Sequence, residues 1–288
     1  MRNTPVFSIL TPTYNCAKFI IRSYECLLSQ TNQNWEWVII NDGSTDDTES
    51  VFSIINDERV KIHSYEKNKG RGYARNLGLS YCEGDIIVVW DIDDIYLPNR
   101  LEYIYQAIKI DNYDFFVSQA LVVDNEFNFK GVRGFYENKL YKSFVHPTLA
   151  FKRSISNVIN YDKNMKAGED LYIMILLSNN YKGYYLDKNL MLYFEDREIN
   201  LYKTIQMHDS HSISINRIIG ERLLNIKLKD KAIIYTTMIL KKIALSLFLI
   251  KPSLYLKTVK YRRIQNSNKM DGLNEILGLI TKYKEKYI

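Results

Sequence analysis

Residues that crosslink a chain or break its regular structure are scarce here, with 3 cysteines, 5 prolines and 12 glycines among 288 residues. The cysteines are odd in number and form no CxxC pair, which argues against a disulfide framework or a zinc site and favours a reducing compartment. So little glycine and proline excludes collagen-like and low-complexity chains. Ordinary proportions of hydrophobic and charged residues, 46% and 25%, indicate a globular protein large enough to bury its own core.

Long apolar segments are also missing. The most apolar stretch, residues 232–250, contains Lys241 and Lys242 near its centre, which argues against a membrane-spanning helix. The first residues lack the uninterrupted apolar run of a signal peptide. We therefore predict a cytoplasmic location.

The net charge of +6 is distributed unevenly along the chain. Residues 1–220 contain 24 basic and 28 acidic residues, whereas residues 221–288 contain 15 and 5. Such a basic tail suits nucleic acid, an anionic membrane surface or an acidic partner, and the alternative is a solvated face without a partner. No RNA- or DNA-binding motif is visible, so we expect no nucleic-acid partner.

Strand and helix patterns alternate over the first 120 residues. The patterns predict strands at 6–10, 35–40, 60–64 and 85–90, and helices at 16–30, 44–55, 73–82 and 98–110. This order is typical of an α/β fold with a Rossmann-like, mostly parallel sheet flanked by helices on both faces. Further strands are predicted at 115–123, 148–152, 184–186 and 190–194, with a helix at 170–180. A C-terminal helical extension follows, with helices at 213–226, 231–250, 253–263 and 273–287.

Three carboxylates, Asp91, Asp93 and Asp94, directly follow the fourth predicted strand. Ligands of such sheets bind at the carboxyl ends of the strands. Because neighbouring carboxylates repel one another, a folded site needs a counter-charge, which Mg²⁺ or Mn²⁺ supplies while also binding phosphate oxygens. The alternative is an acidic turn that caps the following helix.

Other predicted strand ends contain residues that suit a nucleotide diphosphate. Asp42 follows the second strand, and cations lie before and within the helix after the third strand: Lys67, Lys69, Arg71 and Arg75. Such cations pair with phosphate oxygens. The first strand ends with backbone, hydroxyl and aromatic groups from Pro12, Thr13, Tyr14 and Asn15. Together these residues predict a metal-assisted nucleotide-diphosphate site on one rim of the sheet.

Five motifs follow one another in a characteristic order: SILTPTYN (8–15), NDGSTDDT (41–48), NKGRGYARNLGL (68–79), DIDD (91–94) and GED (168–170). Their order and separations resemble the inverting glycosyltransferases of family 2, which have the GT-A fold. The resemblance covers about residues 5–200. It implies a catalytic domain at residues 1–212, with the nucleotide-sugar side at about 1–112 and the acceptor side at about 113–212. Residues 213–288 would then form a separate basic helical region.

The resemblance implies roles for particular residues. Six would hold the donor nucleotide: Pro12, Thr13 and Tyr14 at the nucleobase and ribose, Asp42 on the base, and Arg71 and Arg75 with the turn 70–72. Asp91 and Asp93 would form the DxD motif, in which Asp93 ligates the metal that bridges the diphosphate. Asp94 would support that metal or meet the donor sugar. Asn41 and Trp90 depart from the usual pattern, in which an Asp and a smaller residue are common.

On the acceptor side, the resemblance implies that Glu169 and Asp170 form a catalytic acidic pair, with Asp170 as the general base. An acidic start of a helix is the alternative reading of these two residues. The implied reaction transfers a sugar from a nucleotide-diphosphate sugar to a hydroxyl of a glycan or a lipid-linked saccharide, in bacterial surface polysaccharide synthesis. We expect a UDP sugar, with thymidine and guanosine nucleotides as alternatives, and a peripheral position on the cytoplasmic membrane face through residues 221–288.

Other functions are less consistent with the sequence. A Rossmann dehydrogenase is excluded because no GxGxxG follows the first strand. A nucleotidylyltransferase and a non-catalytic nucleotide-sugar binding protein of similar fold remain alternatives, although the latter would be expected to have lost Asp93 or Asp170. His208 and His211 are a candidate metal pair or solvated residues, and His146 lies where the acceptor side is expected.

Overall fold

The computed structural model describes residues 4–137, 142–165, 168–195, 201–221, 228–249, 251 and 273–287. Its strands are β1 (Phe7–Thr13), β2 (Trp35–Asp42), β3 (Val60–Tyr65), β4 (Ile86–Val89), β5 (Ile95–Tyr96), β6 (Phe115–Val123), β7 (Phe129–Arg133), β8 (Tyr136–Glu137), β9 (Lys142–Ser143), β10 (Ala150–Lys152) and β11 (Gly183–Phe194). Its α-helices are α1 (Ala17–Leu28), α2 (Thr48–Ser53), α3 (Arg71–Tyr81), α4 (Arg100–Tyr105), α5 (Asp170–Asn180), α6 (Leu201–Gly220), α7 (Leu228–Leu247) and α8 (Leu273–Tyr287).

One nine-stranded sheet organises the described residues, in the order β3-β2-β1-β4-β10-β6-β11-β5, with β7 also paired to β6. The block β3-β2-β1-β4 is parallel, as is the pair β6-β11, whereas β10 runs antiparallel to both of its neighbours. The carboxyl ends of β1, β2 and β4 therefore share one rim. Every residue of β2 is buried, as expected for a strand covered on both faces.

Alternate residues of the central strands feed two hydrophobic cores, one on each face of the sheet. Ile9, Trp37 and Val88 belong to the core that contains buried residues of α1, α4 and α8. Leu10, Val38 and Val89 lie in the core that contains buried residues of α3 and α5. Helices thus cover both faces, which confirms the predicted α/β architecture.

The chain between β4 and β11 builds the side of the rim opposite β2. A π-helical turn, Gln106–Ile110, extends α4, and short 3-10 segments flank β10 at His146–Thr148 and Arg153–Val158. Helix α5 is apolar almost all round, because Leu171–Leu177 are all buried between the sheet and α6. Its first residue, Asp170, is only partly buried.

Some described residues of the basic tail pack on the catalytic part of the chain. Helix α6 begins at Leu201 and crosses residue 212, so the predicted helix start at 213 was wrong. Residues 222–226 of that predicted helix lie outside the described residues, and the domain boundary at 212 stays a prediction. Helix α8 packs on α1 through Ile280 and Tyr283, and Lys286 Nζ lies 3.4 Å from Glu25 Oε2. The predicted helix at 253–263 lies outside the described residues. Within the described part of the chain, no helix is both long and apolar enough to cross a membrane.

Candidate active site

The ends of β1 and β2 are tied together at the rim. Asn15 has a φ of 51°, and its main-chain N–H donates to Ser44 Oγ at 3.0 Å while its side-chain oxygen accepts from the Thr45 N–H at 2.8 Å. Thr13 Oγ1 donates to the Ile40 carbonyl at 3.2 Å and is buried. Tyr14, in contrast, is 49% exposed. The fixed loop therefore holds an aromatic ring in solvent beside the strand ends.

Asp42 is a buried organising carboxylate at the end of β2. It accepts hydrogen bonds from the Lys69 N–H at 2.6 Å, the Gly70 N–H at 2.9 Å and the Tyr65 hydroxyl at 2.7 Å. Burial and Asp42 together raise the pKa of Tyr65. Asp42 thus fixes the loop that leads into α3, and its contact with a nucleobase stays a prediction.

The three carboxylates after β4 have different surroundings. Asp91 is partly exposed and bonds Arg75, whereas Asp93 is exposed and its main-chain oxygen accepts from Arg22 Nη2 at 2.6 Å. Asp94 is buried, and its Oδ1 accepts from the Phe194 N–H at 2.9 Å. Burial, with repulsion from Asp93 and Asp91, raises the pKa of Asp94. Asp93 is therefore the most accessible of the three, and Asp94 is turned towards β11.

A buried ion-pair cluster joins this turn to the start of α5. Arg75 donates from Nη2 to Asp91 Oδ1 at 3.0 Å and from Nη1 to Glu169 Oε1 at 2.8 Å. Arg71, one turn earlier on α3, contacts the same Glu169 through Nε–Oε1 at 2.5 Å and Nη2–Oε2 at 3.0 Å. Burial alone would lower the pKa of the Arg75 guanidinium, but the carboxylates of Asp91 and Glu169 raise it.

Asp170 begins α5 next to this cluster. Burial and then the neighbouring Glu169 raise the pKa of its carboxyl, while Arg75 and Arg71 oppose that rise. A carboxylate with a raised pKa suits a general base at neutral pH. Both oxygens of Glu169 are bound by arginines, so the two members of the predicted acidic pair have unlike environments.

The backbone before Asp170 requires a glycine. Gly168 has a φ of +72°, and a Cβ on it would lie 2.8 Å from His211 Cδ2. Helix α6 therefore packs against the GED motif through His211. Burial lowers the pKa of His211 to about 4, with Lys241 and His208 adding to the effect.

Tyr161 and His146 support Arg75 from the other side. The Arg75 guanidinium carbon lies 5.4 Å from the Tyr161 ring centroid, and the Tyr161 hydroxyl lies 3.0 Å from His146 Nε2. Burial, then Arg75 and Arg71, keep the pKa of His146 well below its usual value, so this histidine is neutral. An open pocket of about 530 Å³ adjoins Tyr161, with Asn76 and Arg217 also in its wall.

Sequence reasoning missed several residues of the rim. Arg100 is fully buried, donates to the Val89 and Pro147 carbonyls at 3.1 and 2.8 Å, and lies over the Tyr96 ring. The Tyr96 hydroxyl accepts from the Asp91 N–H at 2.8 Å and so fixes the acidic turn. Trp90 is core, because it is fully buried and its Nε1 donates to Ser23 Oγ at 2.9 Å. The sequence signal for Tyr96 and Arg100 was their position just after the DxD motif, and that position does not show that the two side chains are buried.

No cluster of three or more metal-ligating side chains occurs among the described residues. That is compatible with a cation held by one or two carboxylates and by phosphate oxygens of a ligand, which is how Mg²⁺ is commonly bound. Asp93 and Asp91 offer the hard oxygen donors that such a cation prefers. His208 is buried with a lowered pKa, caused first by burial, and its role in binding metal stays a prediction.

Comparison with known proteins agrees with this geometry. The sequence profile described as "Glycosyl transferase family 2" matches residues 8–171, more than half of the chain. The chain is 30% identical over 178 residues to an Escherichia coli protein named UDP-Glc:alpha-D-GlcNAc-diphosphoundecaprenol beta-1,3-glucosyltransferase WfgD, covering 60% of this chain and 70% of that protein. Several other curated glycosyltransferases also match, and the chain spans only 26% to 40% of their length.

Two solved structures share the fold. The S. aureus protein TarS (residues 1–349, in complex with UDP) aligns with a TM-score of 0.60 at 20% identity, covering 77% of this chain and 67% of that one. The mannosyltransferase PcManGT from Pyrobaculum calidifontis, in complex with GDP-Man and Mn²⁺, aligns with a TM-score of 0.55 at 16% identity, covering 91% and 86%. With the profile match and the strand-end geometry, they lead to one conclusion: the chain belongs to glycosyltransferase family 2 and has the GT-A fold.

Proposed function

We propose that this protein is an inverting glycosyltransferase that moves a sugar from a UDP sugar to a hydroxyl group of a saccharide acceptor. The observation that supports this most strongly is the connection Asp91–Arg75–Glu169. It brings the acidic turn of the donor side and the acidic pair of the acceptor side within reach of one guanidinium. A donor and an acceptor held at such a junction could meet over a short distance.

In the proposed reaction, Asp170 accepts the proton of the acceptor hydroxyl while the acceptor oxygen forms a bond to the anomeric carbon. The bond from that carbon to the diphosphate oxygen breaks, and its electron pair leaves with the nucleoside diphosphate. Because the attack comes from the face opposite the leaving group, the anomeric configuration inverts. One carboxylate is enough, since a diphosphate leaves without being protonated.

Asp93, with Asp91 beside it, would hold Mg²⁺ or Mn²⁺. When bound, such a cation neutralises charge on the departing diphosphate. The exposure of Asp93 and the oxygen donors of both residues support this assignment, and PcManGT was solved with Mn²⁺. Arg71 is 46% exposed, so its guanidinium is accessible from the rim as a further partner for phosphate.

The nucleotide is proposed by analogy with the similar proteins. TarS has been solved with UDP and with UDP-GlcNAc, and the name of WfgD specifies UDP-Glc, whereas PcManGT was solved with GDP-Man. The test is to incubate the purified protein and Mn²⁺ with UDP-, GDP- and dTDP-sugars and to measure nucleotide release with and without saccharide acceptors. Release from one UDP sugar that increases with acceptor supports the proposal. Nucleotide binding without release from any donor would favour a non-catalytic binding protein.

We also propose a lipid-linked acceptor and a peripheral position on an anionic membrane. The name of WfgD specifies a diphosphoundecaprenol acceptor. In α7, Ile234 and Leu245 are buried on one face. Five exposed apolar residues share another face about 120° wide, on which Thr236 is also exposed: Ile233, Ile239, Leu240, Ile243 and Leu247. An apolar helix face within a basic region suits the interface of an anionic bilayer.

Liposome co-sedimentation tests this membrane proposal. The full chain should pellet with anionic vesicles at low salt, less at high salt, and not with neutral vesicles. Replacing Ile239, Ile243 and Leu247 with Ser should abolish pelleting, whereas Ile54→Ser, at an exposed site far along the chain, should leave it unchanged. Equal pelleting of the triple variant and the parent, or none by the parent, would contradict the proposal.

A further inference from the structure

Arg75, on α3, connects the turn after β4 with the start of α5. Its side chain is only 4% exposed, and its two amino groups bond Asp91, at the end of β4, and Glu169, just before α5. A guanidinium can make both bonds at once because its donors form a rigid planar fork. The resemblance gives this arginine to the nucleotide, but the fork is directed towards two carboxylates of the protein itself.

We infer that Arg75 is a positioning residue that couples the donor and acceptor sides of the site, with Glu169 as its anchor rather than as a second catalytic acid. This inference rests on the proposed function for its consequences in catalysis. Asp91 borders the proposed metal ligand Asp93, and Glu169 borders the proposed base Asp170. A shift of either segment is therefore transmitted to the other through one buried side chain.

The surroundings of Arg75 restrict it to this one arrangement. Arg71 holds the remaining oxygen of Glu169, and Tyr161 covers the guanidinium while bonding the neutral His146. The Tyr96 hydroxyl holds the main chain of Asp91. Since each partner is itself fixed, the coupling does not depend on a bound ligand.

The first test measures the coupling without any substrate. Asp91→Ala removes one partner, and hydrogen exchange with mass spectrometry follows the amides of α5, which Asp91 does not touch. Those amides should exchange faster, by about tenfold for a loss of coupling in the usual range. Asp57→Ala is the matched control, because it breaks an Arg59 pair elsewhere, at 2.7 Å, and should leave α5 unchanged. Unchanged exchange of α5 in Asp91→Ala would overturn the inference.

The second test uses calorimetry of UDP binding in Mn²⁺. Glu169→Gln should weaken UDP affinity roughly fivefold although Glu169 is not assigned to the nucleotide. The same change in an Arg75→Lys background should have no further effect, because the ammonium of Lys has no fork with which to span both carboxylates. Melting temperatures of all variants check the fold, which separates positioning from unfolding. Additive effects of the two substitutions would contradict the coupling.

The two tests fail in different ways. If the parent binds no UDP, the proposed function is wrong while hydrogen exchange still reports on the coupling. If the parent binds UDP and transfers sugar, but Glu169→Gln and Asp91→Ala have only local effects, the proposed function stands and the positioning role of Arg75 is wrong.

Discussion

The acidic turn after β4 and the acidic start of α5 use similar residues in different ways. In each region one carboxylate is fixed by arginine: Asp91 by Arg75, and Glu169 by Arg71 and Arg75. The neighbouring carboxylate differs. Asp93 is exposed at the rim, whereas Asp170 is partly buried and its pKa is raised by burial and by Glu169.

This difference corresponds to two kinds of chemistry. A carboxylate that binds a divalent cation has to be ionised and accessible, and solvent exposure favours both. A general base works best when its pKa approaches the working pH, and burial raises a carboxyl pKa in that direction. Local environment, rather than residue type, therefore separates the proposed metal ligand from the proposed base.

The largest effect is expected from removing the proposed base, Asp170. Asp170→Asn keeps the shape of the side chain but cannot accept a proton, so transfer should fall by roughly 10²–10⁴-fold while UDP affinity changes little. Transfer is measured with the donor and acceptor found in the nucleotide-sugar panel. Asp124→Asn, on the turn between β6 and β7, is the control and should be unaffected. Near-normal transfer by Asp170→Asn would leave the proposed base without support.

On the donor side, loss of the proposed metal ligand should lower both sugar transfer and UDP affinity. Asp93→Ala removes the accessible carboxylate, so transfer should fall by about 10²–10³-fold and Mn²⁺-dependent UDP affinity should be lost with it. Calorimetry with and without Mn²⁺ separates the two contributions. EDTA should bring the parent to the level of the variant. Equal UDP affinity of variant and parent in Mn²⁺ would show that Asp93 does not hold the metal.

On the acceptor side, a substitution at Gly168 should lower stability more than a matched glycine substitution elsewhere. Gly168→Ala places a Cβ at a φ of +72° and 2.8 Å from a His211 carbon, so we expect a loss of about 1–3 kcal/mol of stability and a lower melting temperature. Gly278→Ala in α8 is the matched control. A Cβ there meets nothing within 4 Å, and alanine favours a helix. Equal melting temperatures for Gly168→Ala and the parent would contradict this account.

The smallest expected effect concerns pH. Because the pKa of Asp170 is higher in the folded than in the unfolded chain, its contribution to stability is present at low pH and is lost as pH rises through the raised pKa. The Asp170→Asn variant does not lose stability in this way as the pH rises. Its melting temperature should therefore exceed that of the parent near neutral pH, and by less in acid. A constant difference across pH would argue against a raised pKa.

Much of the fold could be predicted from periodicity. Strand β6 and helices α5 and α8 have the predicted bounds, because their apolar residues repeat with a clear period. Strand β11 was predicted as two short strands, since the polar residues at 187–189 interrupt the pattern where its register with β6 shifts. The short strands β5 and β7 were missed because pairing across the sheet, not local sequence, makes them strands.

The site was predictable to the level of motifs but not of contacts. Strand ends can be inferred from sequence, so Asp42, Asp91 and Asp93 fall on one rim as expected. The bond from Arg75 to Glu169 joins residues 94 positions apart, and no local pattern predicts it. Asp94 illustrates the same limit, because its burial follows from the approach of Phe194 at the end of β11.

The contact between α8 and α1 has a consequence for the order in which the protein assembles. Cys26 Sγ lies 3.9 Å from the Tyr287 hydroxyl, although 261 positions separate them along the chain. Closing so long a loop is entropically unfavourable early in folding, and contacts of this separation form slowly. We therefore expect the α1 side of the core to be covered late in folding, after the parallel strands have paired. A chain cut at residue 212 would present this surface permanently and should tend to aggregate.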